Sequence, residues 1–352
     1  MEYWQLITIA LVALIALLPL STPPQPHLQP RVVIMPLYQA QGAVALRDVY
    51  GVSRYTGAGV RVAVVDTGVD YTHPDLSGAV EALVSFVATT KDGAPLVWFV
   101  GVNGSLGDAR RFDEYVKSQV GFYAWLDEHG HGTHVAGIIA GNGVLSGGRY
   151  AGLAPNAKIW AVKILGAQGA GSIDTLVKAL RWLADQPVDI VNLALGLNAP
   201  PPDSLRDAVA LLASKGKIVV AAAGNSGVIG AVEYPARYPS VIAVAAVDAS
   251  GLRASFSAMG LPSDWKPDFA ALGVNVVSTL PTYQCTLGRG PYAALSGTSM
   301  ATAVASGILA LWLEAVGPQA RDKVFLAASA SIPASPVAYK TLVLGYGILL
   351  PP

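Results

Sequence analysis

Four short stretches of this chain carry side chains that can do chemistry together. Ser299 stands in Ser296-Gly297-Thr298-Ser299-Met300-Ala301, after a loop rich in glycine and proline and before a small, apolar run from Ala301 to Val316. That run has no proline until Pro318, so it reads as a helix with Ser299 in its first turn. There the first backbone N–H groups lack intrahelical partners and the helix dipole is positive. A serine so placed can attack a carbonyl while its own N–H holds the oxyanion that forms. Alone, the stretch reads equally well as a helix cap with small residues for close packing.

Asp66 closes an apolar strand in Val65-Asp66-Thr67-Gly68-Val69-Asp70. A carboxylate at such a place is costly without hydrogen-bond partners. It either orients an imidazole or closes an Asx turn; Asp70 falls in the loop beyond. His129-Gly130-His131-Gly132-Thr133-His134 holds three of the five histidines. His131 and His134 have no Glu or Cys at zinc-protease spacing, so a metal pair is set aside in favour of a base or a structural histidine. Asn225 ends a further apolar strand, Val220 to Ala223, where its amide can donate to a developing oxyanion or simply serve a turn. The order Asp, His, Ser is one in which hydrolytic triads occur.

The elements around these residues repeat. Val60 to Val65, Ile159 to Ile164, Ile190 to Leu195, Ile218 to Ala223 and Val241 to Val247 are short, almost wholly apolar runs, as in strands buried on both faces. Between them His134 to Ala140, Ile173 to Asp185 and Ser204 to Lys215 read as helices. Strand, helix, strand at this spacing predicts an α/β fold, a doubly wound and mostly parallel sheet flanked by helices. Sites in such sheets form at the carboxyl ends of strands.

Composition narrows the function. The 352 residues are 53% hydrophobic and 13% charged, with 23 basic and 23 acidic side chains. That balance gives no electrostatic case for nucleic acid. The glycines at 57–59 precede their strand, and those at 166–171 lack the order of a phosphate loop, so nucleotide binding is not expected. Cys285 is the sole cysteine, which excludes an intrachain disulfide.

Residues 1–20 are expected to be a signal peptide or an N-terminal membrane anchor, because Trp4 to Leu20 is apolar or neutral throughout. Attachment through residues 4–20 or secretion would both place the protein outside the cytoplasm. Residues 21–44 read as a proline-rich linker, and 45–352 as one catalytic domain in which 77–128 is an insertion on the surface.

Taken together, VVDTGVD around Asp66, HGTHVAG from His131, AAAGNSG around Asn225 and GTSMA around Ser299 resemble the motifs of the subtilisin-like serine proteases, from about Tyr55 to Gly347. The resemblance implies a serine endopeptidase acting on polypeptides, with Asp66, His131 and Ser299 as triad and Asn225 as oxyanion donor. It makes His131 the base and gives His134 a packing role. It further implies that substrate main chain pairs with Ala194-Leu195-Gly196 and with Gly169 to Gly171. Glu233 is then expected at the floor of the primary specificity pocket, or turned to solvent or to Arg237. Asp75 and Asn142 match places where the family holds a structural calcium ion; catalysis itself needs no cofactor. Departures are Thr302-Ala303-Val304 where Pro-His is usual and Ala194 where Ser is usual. A catalytically dead scaffold of the same fold is the competing expectation; the intact set of four residues argues against it.

Overall fold

A computed structural model describes residues 31–33, 38–39, 42–324 and 344–352, apart from 52, 198, 262 and 264. The expected leader lies outside the described residues. Thirteen strands are present among them: β1 (Arg31–Val33), β2 (Tyr38–Gln39), β3 (Arg61–Asp66), β4 (Val80–Thr89), β5 (Pro95–Phe99), β6 (Lys158–Lys163), β7 (Ala170–Ser172), β8 (Ile190–Leu193), β9 (Ile218–Ala222), β10 (Ile242–Val247), β11 (Phe269–Leu272), β12 (Val276–Thr279) and β13 (Tyr292–Ser296). The helices are α1 (Leu46–Tyr50), α2 (Leu106–Val120), α3 (His131–Ala140), α4 (Ile173–Leu183), α5 (Asp203–Ser214) and α6 (Thr298–Val316).

Eight strands form the main sheet in the order β11-β10-β9-β8-β3-β6-β4-β5. All pairings are parallel except β4 with β5. The chain enters at β3 in the middle, fills one side and then the other. Side chains alternate along each strand. Val62 and Val64 of β3 therefore join the core that holds α3 and α6, while Ala63 and Val65 join the core that holds α4 and α5. Both faces of the sheet are covered, which is why the strands read as unbroken apolar runs.

The predicted strands are found within a residue or two, and the doubly wound sheet is as expected. Two helices start three residues earlier than their apolar patterns. α3 begins at His131 and α6 at Thr298, so both put a polar residue of interest into the first turn. Periodicity marks only where the apolar side chains begin, and the polar residues of a first turn carry no such signal even when they are buried. Although α6 is apolar and long, it is buried from Thr298 to Leu311 within the core.

Two stretches differ from expectation. Residues 77–128 are no surface insertion: β4 and β5 extend the main sheet, and α2 covers them. Phe112 stacks on Trp125 at 5.2 Å, with Trp98 5.9 Å from Trp125, and these aromatic residues join the core that holds α3 and α6. Nor is all of 21–44 an exposed linker. β1 pairs with β7, β2 pairs with β13, and Val32 is fully buried.

Candidate active site

β3 ends at Asp66, and β6 beside it ends in register at Lys163. α3 starts directly over this edge. Gly132 permits the approach, since a Cβ there would lie 2.1 Å from the Gly68 carbonyl and 3.2 Å from the Asp66 side chain. The imidazole of His131 is thereby brought onto Asp66, with Nδ1 2.8 and 2.9 Å from the two carboxylate oxygens. Both residues are fully buried. Asp66 also accepts from the N–H of Thr67 at 2.7 Å, which helps fix the carboxylate. Nε2 of His131, the other ring nitrogen, has no hydrogen-bond partner among the described residues.

Ser299 sits in the first turn of α6, fully buried, and its hydroxyl donates to the Ala194 carbonyl at 2.8 Å. Ala194 follows β8, so the serine is tied to the strand next to β3. Asn225 follows β9. Its Oδ1 accepts from the N–H of Thr298 at 2.9 Å and from the Thr298 hydroxyl at 2.8 Å. This leaves the amide NH2 as the donor end of the side chain. The ends of β3, β8 and β9 thus bring Asp66, Ser299 and Asn225 to one edge of the sheet, as a parallel α/β fold does.

Ala194, Leu195 and Gly196 are buried beyond the end of β8, and Gly169 and Gly171 flank or lie in β7. Glu233 packs against Gly196 and Gly224. A Cβ built on Gly196 would fall 2.1 Å from Oε2 of Glu233, and one on Gly224 would fall 3.1 Å from Oε1. Its N–H donates to Ala223, while Leu197 and Tyr234 bridge the next positions. No salt bridge holds the carboxylate among the described residues, and burial pushes its pKa up to about 7.

The motif reading missed Asp127. This buried carboxylate accepts from Gly130 N–H, His129 N–H, Thr133 N–H and the hydroxyls of Thr67 and Thr133, at 2.7 to 3.0 Å. It ties the approach to α3 to the end of β3. An acid four residues before His131, in Asp-Glu-His-Gly-His, was the available signal. Lys163 was missed too; its buried ammonium donates to the Leu126 carbonyl at 2.7 Å, and burial lowers its pKa. The ring of His129 lies edge-on 6.3 Å from that of His131, and burial lowers its pKa. His134 is in the core, with Nε2 3.0 Å from the Ala293 carbonyl, its pKa held near about 3 by burial. Asp70 accepts from Thr72 and Thr282, a turn role.

Asp75 and Asn142 do come together, with Asn142 N–H donating to the Asp75 carbonyl at 2.8 Å. Their side chains do not fit a calcium ion. One oxygen of Asp75 accepts from Leu145 N–H at 2.9 Å and the other from the Tyr292 hydroxyl, and Oδ1 of Asn142 accepts from Val144 N–H at 2.9 Å. Calcium needs six to eight oxygens, whereas no cluster of three His, Cys, Asp or Glu that could hold a metal occurs among the described residues.

Residues 57–327 match the model of the subtilase family. An alkaline protease of Alkalihalobacillus alcalophilus is 40% identical over 256 residues, which are 73% of this chain and 54% of that protein. The chain thus spans about half the length of that relative. Subtilisin Savinase of Lederbergia lenta is 40% identical over 73% of this chain and 77% of its own. Subtilisin E of Bacillus subtilis (strain 168) is 36% identical over 77% and 60%. Among solved structures, sphericase superposes with a TM-score of 0.67 at 30% identity, covering 86% of this chain and 96% of its own. A psychrophilic protease gives 0.68 at 28% identity, with 89% and 99% covered.

Proposed function

The chain belongs to the subtilase family, and on that premise we propose that it is a serine endopeptidase that cleaves polypeptides outside the cytoplasm, using Asp66, His131 and Ser299. The observation that carries the reading is the two-oxygen contact of Asp66 on Nδ1 of His131. A carboxylate so placed keeps the proton on Nδ1 and leaves Nε2 as the acceptor.

The Ser299 hydroxyl is a weak nucleophile at its own pKa and needs that acceptor. It turns from the Ala194 carbonyl to Nε2 of His131 and attacks the substrate carbonyl carbon as its proton passes to the ring. The imidazolium formed is stabilised by Asp66. The oxyanion takes the Ser299 N–H at the start of α6 and the amide of Asn225. Collapse expels the amine, which takes its proton from His131. Water then repeats the sequence on the acyl-serine and releases the acid. Every proton moves through side chains of this chain, so the reaction needs no bound cofactor.

Substrate main chain would pair with Ala194 to Gly196 on one side and with β7 on the other, which makes recognition largely independent of sequence. Glu233 then selects at the primary pocket. Its ionised carboxylate favours Lys or Arg on the residue whose carbonyl is attacked. A leader within residues 4–20 would deliver or tether the protein to the membrane.

A fluorophosphonate probe tests the assignment. Ser299 should be labelled stoichiometrically, and Ser299→Ala should abolish both labelling and peptide hydrolysis while keeping the fold. Labelling elsewhere, or normal turnover by Ser299→Ala, would refute it.

A further inference from the structure

Gly130, the residue before α3, separates His129 from His131. The two imidazole rings lie edge-on with their centroids 6.3 Å apart. Each carries a buried nitrogen with no hydrogen-bond partner among the described residues, Nδ1 on His129 and Nε2 on His131. His131 is fully buried and His129 only 8% exposed, so bulk water does not freely satisfy either atom. A third such nitrogen, Nδ1 of His134, belongs to a ring sealed in the core with its Nε2 3.0 Å from the Ala293 carbonyl. Carboxylates back both members of the pair. Asp66 holds Nδ1 of His131 from behind, and Asp127 accepts the N–H of His129 at 3.0 Å. A carboxylate behind a ligating imidazole fixes its tautomer and raises its basicity. Burial keeps the His129 ring neutral, as a metal ligand must be; Asp127 and Asp66 attract a cation to it, while Lys163 repels one.

We propose that His129 and His131 form an inhibitory site for zinc or a like divalent cation, which takes Nδ1 of His129 and Nε2 of His131 and so removes the base from the proton path. The proposal rests on the peptidase reading above. Nε2 must accept the Ser299 proton, and an ion on its lone pair blocks that step without touching the substrate. Imidazole suits borderline cations such as zinc and copper, whereas magnesium and calcium prefer oxygen. A tetrahedral ion with zinc–nitrogen bonds of about 2.0–2.1 Å holds two ring centroids roughly 5 Å apart. The separation closes to that when the His129 ring turns, because Asp66 pins the other ring. Water completes the coordination, since no third His, Cys, Asp or Glu joins the pair among the described residues. Two protein ligands make a weak and reversible site, one that serves control and not folding. Cys285 is the competing target for a thiophilic ion. Its Sγ lies 2.9 Å from a Cβ built on Gly130, but the thiol donates to the Gly288 carbonyl at 3.1 Å.

The test adds zinc chloride to the full chain and follows hydrolysis of a chromogenic tetrapeptide. Zinc should inhibit, a chelator should restore the rate, and magnesium or calcium at the same concentration should have no effect. His129→Gln should raise the zinc concentration for half-inhibition by about tenfold or more, because even a group that only orients a ligating imidazole is worth about that much in metal affinity. Cys285→Ser should leave it unchanged. Half-inhibition is read within each variant, so a change in basal rate does not enter. Equal sensitivity of His129→Gln and the parent chain, or loss of inhibition in Cys285→Ser, overturns the proposal. Should His129→Gln fail to fold, ring-nitrogen NMR shifts in the Ser299→Ala chain decide. Zinc must then move His129 and His131 together; shifts of His73 or His134 alone overturn the site. Calorimetry separates this inference from the peptidase reading. Ser299→Ala should bind a single zinc ion, and adding His129→Gln should weaken that binding by about tenfold or more. Binding in that pattern without any hydrolysis by the Ser299 proteins would sink the peptidase reading and keep the metal site; hydrolysis without that pattern would do the reverse.

Discussion

The hydroxyl of Ser299 donates to the main-chain carbonyl of Ala194 at 2.8 Å, while Nε2 of His131 has no hydrogen-bond partner among the described residues. On the proposed assignment, the nucleophile is held against the strand that should bind substrate, not against its base. A substrate N–H arriving at Ala194 would compete for the same carbonyl and release the hydroxyl toward the ring. Activation and binding are thereby linked through one acceptor.

Asp66→Asn should lower kcat by about four orders of magnitude. The Asn oxygen would still accept from Thr67, which turns its NH2 toward Nδ1 of His131. Nδ1 must then accept, the ring proton moves to Nε2, and the base is lost. Single-turnover acylation measures this, and a loss of less than tenfold would show that Asp66 does not set the tautomer.

Asn225→Ala should cost about 3 kcal/mol in transition-state binding, expressed in kcat. Oδ1 of Asn225 also holds the first turn of α6 through Thr298, so a modest fall in melting temperature accompanies it. A change confined to KM would remove Asn225 from the oxyanion site.

The pH dependence of selectivity follows from Glu233. Its carboxyl is raised to about 7 because burial disfavours the charge. Above pH about 7 it is ionised and favours Lys or Arg; below that it is neutral and the preference fades. The ratio of kcat/KM for Arg over Phe peptides should therefore rise through neutral pH. Taking the ratio cancels the titration of the catalytic base. Glu233→Gln should flatten it. Linkage has the opposite sign for stability: a raised carboxyl pKa makes the fold less stable as pH rises from the unfolded value toward about 7. Glu233→Gln should therefore raise the melting temperature more at pH 8 than at pH 5. A flat wild-type ratio would place Glu233 outside the pocket.

Chelation should leave the melting temperature unchanged. The side-chain oxygens of Asp75 already accept from Leu145 N–H and the Tyr292 hydroxyl, and an ion would have to displace both. A clear drop on adding a chelator, reversed by calcium, would restore the calcium site.

The sequence by itself determined the sheet and marked the four candidate catalytic positions. Unbroken apolar runs between amphipathic helices can be buried only in a parallel sheet covered on both faces, and Asp66, His131, Asn225 and Ser299 sit in short motifs whose residues are neighbours in the chain. What tertiary structure decided depends on contacts between distant residues. The carboxylate of Asp127 meets Thr67 across 60 positions, and its place four residues before His131 does not by itself say that it ties the approach to α3 to the end of β3. The aromatic residues of 77–128 read as surface because the partners that bury them come from distant parts of the chain, brought together only when β4 and β5 join the sheet. Asp75 matches a calcium ligand in sequence, yet Tyr292, 217 residues away, takes its oxygen. The prolines of 21–44 argue for an exposed linker, but strand pairing is a main-chain property with little sequence signature, so β1 on β7 became visible only once the fold brought the two edges together.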